Sequence, residues 1–228
     1  MPPLRWALGV CLLTFHASAQ STDSQPKAEA RPTRADTHIM GMLPNYKTVP
    51  DMNTPVPPMT VRDKFRLARL DAFDPMAFVV SGLYAGIGQA VRQNEEWGLG
   101  AKGFGKRYGA AVADQVQSSY FQDAIMPALF RQDPRYYRMA HGNTKTRMWY
   151  AVSRTFVTRS DSGHTQINAS EFAGNAAQFA LSAFYYPAEA RNAKDVSTKY
   201  IVQFGVDAFF NIVKEYWPDV NRKLFKKH

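Results

Sequence analysis

The sequence predicts an all-α protein, a single bundle of about six helices behind a proline-rich tether. Three observations predict it. Apolar residues recur at helical spacing from Thr60 onward, and no stretch sustains the two-residue alternation of a β-barrel strand. The 169 residues from Thr60 to His228 are enough for one domain. Glycine and alanine also recur at three- and four-residue spacing inside the apolar runs, a pattern that lets helices approach closely.

The N-terminal 59 residues stand apart from that domain. Arg5, the apolar run Trp6–Phe15 and the triplet Ala17-Ser18-Ala19 make a secretory signal peptide over residues 1–19. The run is shorter than the roughly 20 apolar residues of a permanent membrane anchor. Cys11 is the only cysteine and leaves with the signal peptide, so the mature chain has no disulfide, thiolate ligand or cysteine nucleophile. Residues 20–59 hold seven of the fourteen prolines and few apolar residues before Ile39. Such a segment buries too little to offset its ordering entropy, so a disordered or extended tether is expected. Within it, "GMLPNYKTV" (41–49) reads as a short docking patch. The formal charge of +9 falls to +8 once Arg5 is removed. An exported protein this basic meets anionic lipid or an envelope polymer rather than nucleic acid.

The helices follow in order over residues 60–228. Thr60 caps "VRDKFRLARLDAF", and Asp74-Pro75 opens "PMAFVVSGLYAGIGQAV", which carries no charge before Arg92. A third helix is expected over Lys106–Phe130, strained at Pro127, and a fourth over Thr144–Thr158. The fifth starts near Asn168 or Ser170 and ends at Pro187, and the last runs from Lys194 to Tyr216. Lys199, Gln203, Asp207, Asn211 and Glu215 make a narrow polar stripe on the last helix. Glu171, Asn175, Gln178 and Ser182 make another on the fifth. A soluble surface helix has a wider polar face than this. Glu171 and Asp207 would be costly at membrane depth, so the expected arrangement turns the stripes to solvent; the alternative is a lipid-facing bundle with the stripes inside. Gly82, Gly86, Gly105, Gly109 and Gly174 each cost about 1 kcal/mol in a helix relative to alanine. Close helix packing, or self-association into a homo-oligomer through these faces, would offset that cost.

Candidate sites are few. Arg131, Arg135, Arg138, Lys145, Arg147, Arg154 and Arg159 form a basic belt interleaved with Tyr136, Tyr137, Trp149 and Tyr150, which suits an anionic membrane surface or polymer. "GAKGFGKR" (100–107) departs from a nucleotide-binding loop at Arg107, where a hydroxyl belongs, and no strand precedes it. The histidines show no ligand spacing, so no metal and no cofactor are expected. "DSGH" (161–164) faintly resembles one motif of the type-2 phosphatidic acid phosphatases, but the partner motifs are missing and the activity does not carry over. An enzymatic alternative would join His164, Asp161, Arg159 and Arg135 in a hydrolase of phosphate esters or envelope lipids. The simpler expectation is a polar connector between helices, with "RQDPRYYR" (131–138) as its counterpart, the two locked by Arg–Asp ion pairs.

The segments "GMLPNY", "GKRYGAAVADQ", "QDPRYYR", "VTRSDSGH" and "YYP" together resemble an uncharacterised family of exported bacterial helical proteins. The resemblance spans most of residues 41–220 and implies export and one domain; it supplies no activity and no site residue. The sequence thus predicts an exported protein of the periplasm or cell envelope, structural or interacting rather than catalytic, in contact with membrane lipid or an anionic polymer.

Overall fold

The computed structural model describes residues 38–39, 43–44 and 46–225. The predicted signal peptide and the predicted tether as far as residue 37 lie outside them, as do residues 40–42 and 45. The bundle is mostly helical, as the sequence predicts. Its helices are α1 (Val61–Ala72), α2 (Pro75–Ala90), α3 (Gly100–Tyr120), α4 (Met126–Phe130), α5 (Thr144–Ser153), α6 (Ala169–Ser182) and α7 (Ala193–Phe225). Short strands β1 (His38–Ile39) and β2 (Leu43–Pro44) pair with each other. The remaining strands are β3 (Thr48–Val49), β4 (Gln132–Asp133), β5 (Tyr136–Tyr137), β6 (Val157–Ser160) and β7 (Thr165–Ile167).

Side chains set most helix starts. Thr60 and Asp63 close a capping box on α1. Asp74 accepts from the Met76 N–H to start α2, with Pro75 fixing the first φ. Asn143 and Asn168 cap α5 and α6 in the same way. The start of α3 differs from expectation, at Gly100 rather than Lys106. The cause is Arg107, which is buried and donates to the carbonyls of Gln93, Asn94 and Gly98. The residues that resemble a nucleotide loop are the first turns of this helix. Gly103 packs so closely on that loop that a Cβ there would lie 2.2 Å from the Gly98 oxygen.

Between α3 and α4 the chain makes a π turn, Phe121–Ile125, and Arg131 ends α4 in the left-handed region. The expected fourth helix stops at Ser153 because "FVTRSDSGH" is a hairpin, not a plain connector. β6 and β7 pair antiparallel, with Gly163 at φ 89° in the turn. β4 joins β6 antiparallel, so the two polar connectors do meet, but through a backbone ladder. The Asp133 carboxylate goes instead to Arg135 beside it and to the Tyr137 hydroxyl. β5 pairs in parallel with β3. The docking patch is therefore real from Tyr46 onward, and Val49 is buried. α7 continues through Pro218, past the expected end at Tyr216.

The polar stripes point inward, against expectation. Asn175, Gln178, Ser182 and Glu215 are buried, as are Lys64, Asp123 and Asp133. The buried apolar residues are largely alanines: Ala68, Ala72, Ala85, Ala110, Ala124, Ala151 and Ala190. Large apolar side chains lie outside, with Phe184 82% exposed, Trp149 76% and Ile201 72%. Glycine packing is more selective than its spacing suggests. Gly174 sits against Gln122, whereas Gly86, Gly105 and Gly109 have nothing within 4 Å of an added Cβ.

Two glycines of α3 should therefore respond in opposite ways. Gly103→Ala should lose about 2 kcal/mol or more, because the clash is with backbone. Gly105→Ala should gain about 0.5–1 kcal/mol through the unfolded chain. Denaturant unfolding of the two variants measures both.

Candidate functional site

Lys47 is half-buried between α1 and the π turn. It immediately precedes β3, which docks the N-terminal segment, and its Nζ is 2.8 Å from Asp123 Oδ2 and 3.0 Å from Asp71 Oδ2. Asp71 comes from the last turn of α1 and also accepts from Ser119 Oγ of α3 at 2.8 Å. Asp123 comes from the π turn, whose wider loop of backbone presents it inward. Burial works against the Lys47 charge, but Asp123 and Asp71 outweigh it and hold the amine protonated. Burial pushes the Asp123 carboxyl up to about 6 despite Lys47 beside it. Asp71 shares the same burial, yet Lys47 and the Ser119 hydroxyl keep its pKa below the usual range.

Beside this triad are two more acids. Glu171 is in the first turn of α6 and receives the Asn175 amide at 2.9 Å; Gln122 in turn donates to Asn175 at 2.7 Å. Asp207 of α7 receives the Gln203 amide on Oδ1 at 3.0 Å. Its Oδ2 is buried and has no donor among the protein groups. A single proton held between Glu171 and Asp207 supplies one. Burial first, then the Asp207 charge, raises the Glu171 carboxyl to about 8, and burial raises Asp207 as well. At neutral pH the pair thus carries one shared proton, as two close buried carboxyls must. Lys214 lies seven residues from Asp207, on the same face of α7. It is half-buried, and burial, then Lys47, lowers its pKa.

Lys47, Asp123, Glu171, Asp207 and Lys214 line one cavity of about 310 Å³ with Arg154, Thr155 and Asn211. The arrangement can hold a small polar solute. Among the described residues no cluster of His, Asp and Glu is arranged to hold a metal ion. Sequence reasoning placed Lys47 in the tether and passed over Lys214. The signal for the rest was present in the two narrow stripes, whose direction it assigned outward.

The basic belt is mostly committed within the fold. Arg147 bonds Glu215 Oε1 at 2.8 Å and Asp219 Oδ2 at 2.7 Å; Arg138 also reaches Asp219, at 2.8 Å. Partial burial opposes the Asp219 charge, but hydrogen bonds from Arg147, Arg222 and Arg138 bring its carboxyl down to about 2. Glu215, 0% exposed, further accepts from the Tyr136 hydroxyl and the N–H groups of Met139 and Ala140. Arg135 holds Asp133, Arg154 lies over the Tyr150 ring, and Arg159 lies over Tyr137 and donates to the Gly163 carbonyl. Arg131 and Lys145 are exposed. Of the residues proposed for hydrolysis, Asp161 pairs with buried Lys64 at 2.7 Å, while His164 is exposed and only its backbone N–H is held, by Ser160.

Two substitutions test this assignment. Between the ordinary glutamate value of 4.5 and about 8, the folded chain keeps a proton that the unfolded chain has released. Stability should therefore fall as pH rises across that window and level off above it. Glu171→Gln, which holds its N–H at every pH, should flatten the slope in denaturant unfolding at about pH 5 and pH 8. Glu215→Gln should cost about 3–5 kcal/mol, since it removes a fully buried charge and turns an NH2 toward groups that donate to it, leaving Arg147 with Asp219 alone. No family model, curated protein or solved structure matches the chain.

Proposed function

We propose that the protein is an exported, envelope-associated helical protein that seats its apolar outer face in membrane lipid, with a structural or binding role. The observation that carries this reading is the inverted polarity: charges and amides inside, large apolar side chains outside. In water that exterior is unfavourable by about 25 cal/mol for each Å² of apolar surface, and contiguous patches of this kind mark membrane or protein contacts. Val79, Leu83 and Ile87 recur every fourth residue on α2, all exposed. On α1, exposed Arg62, Arg66 and Arg69 alternate with Phe65, Leu70 and Phe73, a mixture suited to headgroup depth.

Among the described residues no single helix is long and apolar enough to cross a membrane; α1 and α2, bent by 51°, pass only as a pair. The reading is therefore a bundle seated in lipid rather than a set of spans. The predicted signal peptide and the resemblance to exported bacterial proteins support the same compartment. Exposed Arg131 and Lys145 add attraction to anionic headgroups, while the rest of the belt acts inside the fold.

Membrane fractionation tests this. The native protein should sediment with membranes, stay there through high-salt and carbonate washes, and leave only in detergent. Leu83→Lys with Ile87→Lys should shift most of it to the soluble fraction with helix content unchanged, because both side chains point away from the bundle. Release of the unsubstituted protein by salt alone would overturn the reading.

A further inference from the structure

The cavity between α5, α6, α7 and the β4–β6–β7 sheet holds cations that its own carboxylates leave unpaired. Lys47, Arg135, Arg154, Arg159 and Lys214 line it, with Asp123, Asp133, Glu171 and Asp207. Asp71 lies behind Lys47. Lys47 and Arg135 are spent on aspartates. Lys214 is half-buried, lines the cavity, and makes no ion pair among the described residues. Arg154 lies over Tyr150, its Cζ 4.6 Å from the ring centroid, and its buried Nε has no hydrogen-bond partner among the described residues.

We propose that this cavity binds a small solute through an oxyanion head, a phosphate or carboxylate group, held by Lys214 and Arg154. A guanidinium fixed by stacking offers a planar fork to two oxygens, and an ammonium adds a point charge. A buried cation without a partner is costly and needs a compensating anion. Asn211 and Thr155, which meet at 3.4 Å beside these cations, offer amide and hydroxyl groups to the rest of the solute. At about 310 Å³ the cavity is at the small end of ligand pockets, which span roughly 300–1,000 Å³, and it excludes an extended polymer. The site is interior, so it stands or falls independently of the lipid reading.

Thermal unfolding of the purified mature protein tests the proposal. The probes are sodium phosphate, sodium acetate and dihexanoyl phosphatidic acid, each compared with sodium chloride at equal ionic strength. At a hundredfold excess over Kd a bound probe should raise Tm by about 5–10 °C. A rise with phosphate or acetate means a soluble solute; a rise with the phosphatidic acid alone means a lipid headgroup; either supports the site. Lys214→Gln and Arg154→Gln should each abolish the rise, and Lys102→Gln, exposed on α3 and away from the cavity, should keep it. Lys214→Gln removes no ion pair, so it keeps the test open should Arg154→Gln fail to fold. No rise with any probe, or a rise that survives Lys214→Gln, overturns the proposal.

Discussion

A lysine held between two aspartates sets the terms for everything packed around it. Lys47 cannot be buried without Asp71 and Asp123, and each aspartate fixes an element. Asp71 comes from the last turn of α1, just before the chain breaks at Asp74-Pro75 and turns into α2. Asp123 must reach inward from a rod whose regular turns would not present it there, and the π turn achieves this. Ser119 ties Asp71 back to α3. A segment that composition marks as a tether thus supplies the cation around which three helical elements close.

An interior of this kind follows different rules from an apolar core. Alanine and glycine bring backbones near one another, and long polar side chains fill what remains. Such an interior stands only if every charge is matched, because one unpaired buried group costs as much as several good contacts contribute. Glu215 shows how this is met. Two arginines, a tyrosine hydroxyl and two backbone N–H groups converge on it or its carbonyl. One of those N–H groups belongs to Ala140, a non-glycine residue held at φ 60°. The left-handed turn is retained because the carboxylate on α7 binds the backbone on both sides of it.

Local chemistry was legible in the sequence where a side chain acts on its own neighbours. Thr60 and Asp63, Asp74-Pro75 and Asn168 mark helix starts that the structure confirms. Direction was not legible. A stripe at four-residue spacing reads the same whether it faces water or the bundle axis, and only the packing of α6 and α7 against their neighbours decides it. The start of α3 was hidden because Arg107 gathers carbonyls that precede it by up to fourteen residues. The hairpin at Val157–Ile167 was hidden because its partner strand, β4, is two residues long and lies in another connector. The central cluster combines residues 47, 71, 123, 171, 207 and 214, a spread that no local pattern reveals.

The π turn also changes the phase of the rod in which it sits. A turn closed by i→i+5 bonds holds about one residue more than an α-turn, so a face traced down α3 is not the face that continues along α4. α3 packs mainly on α1 and α2 and also touches α6, whereas α4 packs mainly on α6 and β4. What runs from Gly100 to Phe130 is one continuous backbone but two different surfaces, joined at the point where Asp123 turns inward. Deleting a single residue there would restore a regular helix and rotate one surface against the other, so the length of this segment carries information that no side chain in it could replace.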